Sequence, residues 1–252
     1  MSIVGIHHLT AICSNAQRTV AFYTRILGLR FVKKTVNFDD PGSYHLYFGD
    51  ETGAPGTLVT FFEWSHLPKG RWGIGATHHL AFCVESKEAQ LKWKRWLIEH
   101  GVNVSGPYNR NYFHSIYFSD PDGLILEIAT RTPGWTVDEQ LEQLGATEIP
   151  PPAGLTTAGR NEDEIRATTW IKPVDSLTQD MKLTGLHHIT AIASDINATT
   201  DFYTNVLGMR LLKRTFNYDD SNSPHYYFGV GDGAPGTIIT YFGYSPDKMR
   251  YA

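Results

Sequence analysis

Residues 5–64 and 185–244 carry the same sequence twice: at an offset of 180 they align without a gap, and about half of the aligned positions are identical. A duplication on this scale means that any fold must contain two like units, so that reading one copy reads both. Each copy opens with an alternating segment, Ile6 to Cys13 in the first. Ser14 and Asn15 follow as helix caps, then an amphipathic stretch with Val20, Tyr23, Ile26 and Leu27 on one side, stopped by Gly28. Three strand-like pieces come next, "LRFVKKTVNF", "YHLYFG" and, after the turn "TGAPG", "TLVTFF". The order is β-α-β-β-β.

A second unit of the same order, not a close copy, occupies residues 76–130. "THHLAFCV" reads as a strand, "SKEAQLKWKRWLIEHG" as a helix ended by Gly101, and "VNVSG", "HSIYFSD" and "GLILEIAT" as strands, the last two joined by the turn "DPDG". The expected fold class is therefore α+β, with repeated βαβββ units forming curved mixed sheets. Residues 1–132 are expected to hold two paired units (1–68 and 76–130), residues 133–182 a linker, and residues 183–252 the third unit. Within the linker, "VDEQLEQLG" and "NEDEIRATT" read as short helices. The first copy runs on through "GRWGIGATHH" into the second unit, so a fourth unit is expected after the third and is missing.

Charge narrows the partners. With 22 Lys and Arg against 26 Asp and Glu, and no basic cluster interleaved with aromatics, the chain has no footprint for nucleic acid. No apolar run approaches a membrane span, and Met1 to Gly5 lacks the regions of a signal peptide. Cys13 and Cys83 sit singly in apolar strands, which reads as reduced thiols and a cytoplasmic protein.

Three His-His pairs stand at strand starts: His7-His8, His78-His79 and His187-His188. Neighbouring side chains of a strand point to opposite faces, so only one imidazole of each pair can face a given cavity and the other needs a partner behind it. Glu127 lies inside the apolar strand "LILEIA", where a carboxylate is costly unless paired, hydrogen-bonded or bound to metal. Two imidazoles and one carboxylate from adjacent strands form the facial triad suited to non-haem Fe(II) and oxygen. The competing reading is plainer: buried histidines are usually hydrogen-bonded core residues, duplication explains part of the recurrence, and Glu127 could be salt-bridged at a strand edge.

The stretches "GIHHLTAICSNAQRTVAFYTRILGLRFVKKTVNFDDPGSYHLYFGDETGAPGT" and "NYFHSIYFSDPDGLILEIAT" resemble the vicinal oxygen chelate superfamily, and within it the ring-cleaving dioxygenases of the 2,6-dichlorohydroquinone dioxygenase group. The resemblance implies an Fe(II) enzyme, with Mn(II) as the alternative metal, that opens a hydroquinone or catechol-type ring with O2. Carried over by motif, the metal ligands are His8, His79 and Glu127, and the surrounding residues His7, Thr10 and His78. Arg110 and Tyr117 are then placed to act on substrate or bound oxygen, although alone Arg110 reads as a surface cation and Tyr117 as core.

That family has four units, the first and last building the metal cup. Here a last-type unit follows directly on a first-type unit, and a second first-type unit comes after it. His188 is therefore the alternative to His8, to be preferred if the short link between units one and two keeps them from pairing face to face. With His8 as ligand the spare unit is free to pair with another chain, so that a homodimer is expected. Two further readings stay open. A glyoxalase-type isomerase would take a carboxylate from both units of a cup, whereas Thr60 and Thr240 stand opposite Glu127 when the strands are aligned. A sequestering protein would use the cup without metal.

Overall fold

The computed structural model describes residues 3–252. Each of the three units folds in the expected order. Unit one contributes β1 (His8–Cys13), α1 (Ala16–Ala21), β2 (Arg30–Val36), β3 (Tyr44–Gly49) and β4 (Leu58–Glu63). Unit two contributes β5 (Thr77–Val84), α2 (Lys87–Glu99), β6 (Ser105–Asn109), β7 (His114–Ser119) and β8 (Ile125–Thr130). After a connection carrying α3 (Glu162–Ala167), unit three contributes β9 (Leu186–Ala193), α4 (Ile196–Asp201), β10 (Arg210–Asn217), β11 (Asp220–Gly229) and β12 (Ile238–Gly243). In every unit the first strand lies parallel to the fourth, and the other strand pairs are antiparallel.

Local chemistry accounts for the elements. Asn15, Ser86, Asn161 and Asp195 each accept a main-chain N–H at a helix start. After α1 and α4 the backbone widens, Leu27 N donating to Phe22 O (3.1 Å) and Leu207 N to Phe202 O (3.0 Å). Gly28 then closes the turn at φ 66°, left-handed ground where a side chain is strained. Two sequence expectations shift. Residues 137–145 form no α-helix but separate single turns, Trp135–Val137 and Leu141–Gln143, and the second strand of unit two begins at Ser105 and runs to Asn109.

The pairing of units departs from expectation. Unit one forms a four-stranded sheet by itself, in the order β1-β4-β3-β2. Units two and three share an eight-stranded sheet, in the order β10-β11-β12-β9-β5-β8-β7-β6, joined by the antiparallel pair β5 and β9. The links explain this. Only residues 64–76 separate β4 from β5, and they turn unit two so that its α2 side, rather than its sheet edge, meets unit one: Trp96 Nε1 donates to Ile26 O (2.8 Å) and Tyr23 Oη to Asp120 Oδ2 (3.2 Å). Residues 131–185 are long enough to carry unit three round to the edge of β5. A large cluster that includes Tyr23, Phe48, Phe61, Phe82, Trp93 and Leu97 fills the junction of units one and two.

Units one and three touch through a reciprocal contact. Ile6 N donates to Gly236 O and Leu186 N to Gly56 O, both at 2.8 Å, equivalent bonds in the two copies. The glycine that opens each copy is needed there: a Cβ on Gly5 (φ 155°) would sit 2.9 Å from Gly236 O, and one on Gly185 (φ 129°) 3.0 Å from Gly56 O.

Candidate metal centre

The β5–β9 seam and the β5–β8 pairing fix the site. One row across the eight-stranded sheet reads His188, Ala81, Glu127, Tyr117, through the partner pairs His188–Ala81, Ala81–Glu127 and Glu127–Tyr117. Residues in one row share a face, and the methyl of Ala81 leaves space for the side chains of His188 and Glu127 to lean together over it. The next row places His79 beside Thr190 and Thr190 beside Thr240. The result is that His79 Nε2 lies 2.9 Å from Glu127 Oε2, His188 Nε2 lies 3.4 Å from the same oxygen, and the two imidazole nitrogens are 3.1 Å apart. All three side chains are buried.

This donor set fits a cation. Mutually perpendicular ligand atoms at bonds of about 2.1 Å stand about 3 Å from one another, the spacing found here. Glu127 Oε2 is a buried oxygen that accepts a well-formed hydrogen bond from neither imidazole, whereas Oε1 accepts from Ser115 Oγ at 2.5 Å. Burial alone would raise the Glu127 carboxyl, and the neighbouring His188 and His79 overcome it, holding it well below the carboxylate range. Burial pushes the His79 imidazole down, which favours the neutral form a metal needs.

The paired histidines now have a reason. His78 Nδ1 lies 2.7 Å from His79 Nδ1, and His187 Nδ1 lies 2.8 Å from His188 Nδ1. The first ring of each pair occupies the inner nitrogen of the second and leaves Nε2 directed at the centre, which fixes tautomer and orientation. Burial lowers both outer imidazoles, His78 and His187, to about 3, so they are neutral. Behind the centre runs a chain of hydroxyls and rings: Thr190 Oγ1 is 2.9 Å from His79 Nε2 and 2.7 Å from Thr240 Oγ1, Thr240 Oγ1 is 2.9 Å from His225 Nε2, and Tyr227 Oη is 3.0 Å from His225 Nδ1.

His79, His188 and His225 face a pocket of about 300 Å³ whose wall also carries His78, Tyr117 and Arg110. Arg110 is buried and bonds Asp219 through Nη2 at 3.0 Å, with Tyr108, Tyr117 and Tyr218 rings around its guanidinium. Burial would weaken that cation, and Tyr117 and Asp219 outweigh it. Arg160 holds the other oxygen of Asp219 at 2.6 Å.

Of the residues singled out in the sequence, His79, His188, His78, Arg110 and Tyr117 line this pocket, and Glu127 is buried against His79 and His188 behind its wall. His8, His7 and Thr10 do not. They lie on the exposed face of unit one, and the imidazole that stands beside His79 and Glu127 is that of the repeat equivalent His188 rather than His8, because unit two presents its sheet edge to unit three. The places expected for His7 and Thr10 are taken by His187 and Thr190. Arg160, Asp219 and Tyr218 are additions to the sequence reading, whereas His225, which the sequence offers with His45 either as a cup residue or, preferably, as structural packing, lines the pocket. Arg160 comes from the connecting segment, where no periodicity marks it, and Asp219 was visible only as part of the repeated Asp-Asp pair.

Residues 5–128 and 185–249 match the glyoxalase/bleomycin resistance protein/dioxygenase superfamily, and the chain belongs to it. It is 35% identical over 209 residues, 82% of its own length, to MhqO of Bacillus subtilis, named as a putative ring-cleaving dioxygenase. It is 32% identical over 184 residues to the chlorohydroquinone/hydroquinone 1,2-dioxygenase of Sphingobium indicum. The chain spans about half the length of these relatives, 55% and 56%. A Bacillus subtilis protein of known crystal structure, likewise named for a dioxygenase, superposes with a TM-score of 0.69 at 30% identity, over 97% of this chain and 65% of that one. Maize glyoxalase I shares the fold at 16% identity and a TM-score of 0.61. No helix among the described residues is long and apolar enough to cross a membrane.

Proposed function

We propose that units two and three form the Fe(II) centre of an enzyme that opens a hydroquinone or catechol-type ring with O2. The observation that carries this reading is the meeting of His79 Nε2, His188 Nε2 and Glu127 Oε2 at mutual distances of 2.9 to 3.4 Å at the wall of a pocket. Those three residues would hold the metal, and the names of the relatives supply the substrate class. A ferrous ion bound there supplies a route for electrons between a phenolic ring and O2.

The remaining work belongs to the chain. Arg110, kept charged by Asp219, offers its guanidinium to a phenolate oxygen and orients it. Tyr117 keeps its proton, because burial raises it, and so is a hydrogen-bond donor toward negative charge that develops in the pocket. Tyr108, Phe113, Tyr218 and Phe242 give the pocket aromatic walls that match a planar ring and exclude water. A glyoxalase-type reaction is disfavoured by Thr240, which stands in unit three where a second carboxylate would be required. Two free, buried cysteines agree with a reducing, cytoplasmic setting.

The test is oxygen uptake by protein loaded anaerobically with Fe(II) and offered a panel of substituted hydroquinones and catechols, with Mn(II) loading in parallel. Stoichiometric uptake with an ultraviolet-absorbing ring-opened product is expected. No uptake with any member, from protein that has bound one metal per chain, would refute the reading.

A further inference from the structure

The segment that joins units two and three brings a guanidinium to the pocket wall at Arg160, whose side chain is only 10% exposed. Arg160 Nη1 holds Asp219 Oδ1 at 2.6 Å while Arg110 Nη2 holds Asp219 Oδ2 at 3.0 Å, so one carboxylate is stretched between two arginines. Arg160 Nε is bonded in turn to Glu162 Oε1 at 2.6 Å. The Tyr108 ring lies against both cations, its centroid 4.4 Å from Arg160 Cζ and 4.9 Å from Arg110 Cζ. Charges therefore alternate outward from the pocket, through Arg110, Asp219, Arg160 and Glu162. The repeat alone does not make this row: Asp39, the equivalent of Asp219 in unit one, is exposed.

The segment is fastened so that the row keeps its place. Thr157 N donates to Tyr218 O at 3.0 Å and Thr157 Oγ1 to Asp219 Oδ1 at 3.1 Å, which seats residues 157–160 on the turn between β10 and β11. On the other side, Lys94 is 1% exposed, and its Nζ lies 2.6 to 3.1 Å from the carbonyl oxygens of Ile165, Arg166 and Thr168 at the end of α3 and of Gly106 in β6. A buried ammonium is costly, and here the open carbonyls of a helix end offset the cost. Tyr108 follows Gly106 on the same strand, so α3 and this wall of the pocket move as one piece.

Stability does not account for an arginine in this position. An ion pair at such depth gains little over apolar packing, whereas the planar fork of a guanidinium fixes direction. With Arg160 removed, only Thr157 remains on Asp219 Oδ1. The carboxylate is then free to turn both oxygens onto the fork of Arg110, the tighter two-bonded pairing of these groups, and to draw that guanidinium away from the pocket.

We propose, on the reading of this pocket as the substrate site, that Arg160 is a positioning residue: by holding one oxygen of Asp219 it keeps Arg110 bonded to the other alone, with the rest of the guanidinium presented to a phenolic oxygen of the substrate. The connecting segment is thereby part of the site, and Arg160 acts on the ring only through Asp219 and Arg110.

The experiment uses the full chain loaded anaerobically with Fe(II) and the same panel of hydroquinones and catechols. It reads equilibrium binding without oxygen, by quenching of the aromatic fluorescence, together with KM and kcat for oxygen uptake. Arg160→Gln is expected to weaken binding and raise KM by about 10-fold with kcat changed less than about threefold, the loss of one charge-assisted hydrogen bond that acts on binding. Arg160→Lys, which keeps the charge but not the fork, should recover part of that loss. Asp219→Asn should weaken binding at least as much, and Arg160→Gln added to it should cost nothing further, because the two residues act as one unit. Bound iron should match the parent in every variant. If Arg160→Gln does not fold, Arg160→Lys and Asp219→Asn decide, and each must raise KM. Unchanged binding and KM in the Arg160 variants, or losses that multiply in the double variant, overturn the proposal and leave the enzymatic reading standing. A parent that binds members of the panel with this dependence on Arg160 and takes up no oxygen supports the proposal and refutes that reading. A parent that binds none of them overturns both.

Discussion

Units one and three show how little of a binding site resides in a sequence copy by itself. Both carry the His-His pair, the two threonines, the histidine and the tyrosine of the relay, with nearly the same hydrogen bonds. In unit three these groups are buried and end on Glu127. In unit one His7, His8 and Thr10 face water. The difference comes from which surface of unit two each copy meets, so the centre is a property of the β5–β9 seam.

The comparison breaks most sharply at the imidazoles. His188→Ala should lower metal affinity by more than about 100-fold and abolish oxygen uptake, because it removes a proposed ligand, and His8→Ala should change neither, as read by bound iron after dialysis. On the helix side the asymmetry inverts. Phe22→Ala should cost about 3 kcal/mol or more by denaturant unfolding, because the ring is buried at the junction with unit two, and Phe202→Ala about 0.5 kcal/mol, because its ring is half exposed. Equal losses at the two positions would mean that the two helix faces are alike in solution.

Smaller effects sharpen the contrast. His187→Ala frees Nδ1 of His188 from its partner and should weaken metal binding by about 10-fold, whereas His7→Ala should leave it unchanged. Tyr23→Phe removes the bond to buried Asp120 and should cost about 1 kcal/mol. The last effect concerns pH. Burial would raise the Asp219 carboxyl, but Arg110 and Arg160 hold it below the usual carboxylate value. Its clamp on Arg110 is therefore present at neutral pH and is lost as pH falls through that lowered value, so substrate affinity should decline only in acid. An Asp219→Asn variant should flatten that decline.

Much of the fold was legible because its signals are local. Alternation marked the strands, Gly28 and Gly101 marked helix ends, and the repeat fixed the unit. Glu127 announced itself as a carboxylate in an apolar strand, and the His-His pairs as imidazoles needing partners. The choice between His8 and His188 was not legible from pattern, because the two copies are alike at every position that touches the centre. It depends on the reach of two connections, residues 64–76 and residues 131–185, and on the helix face that the shorter one forces together. Arg160 was hidden for a related reason: it belongs to an irregular segment and reaches the pocket only after units two and three have assembled.

The glycine that begins each copy links the unit outside the centre to the centre itself. Gly236, whose carbonyl lies against Gly5, also donates its N–H to the carbonyl of His187 at 2.9 Å, one residue before His188. A methyl group at position 5 would have to move that turn, and the turn is fastened to the strand that aims the imidazole. Unit one places no side chain among His79, Glu127 and His188 and yet holds the gauge by which one of these proposed ligands is set.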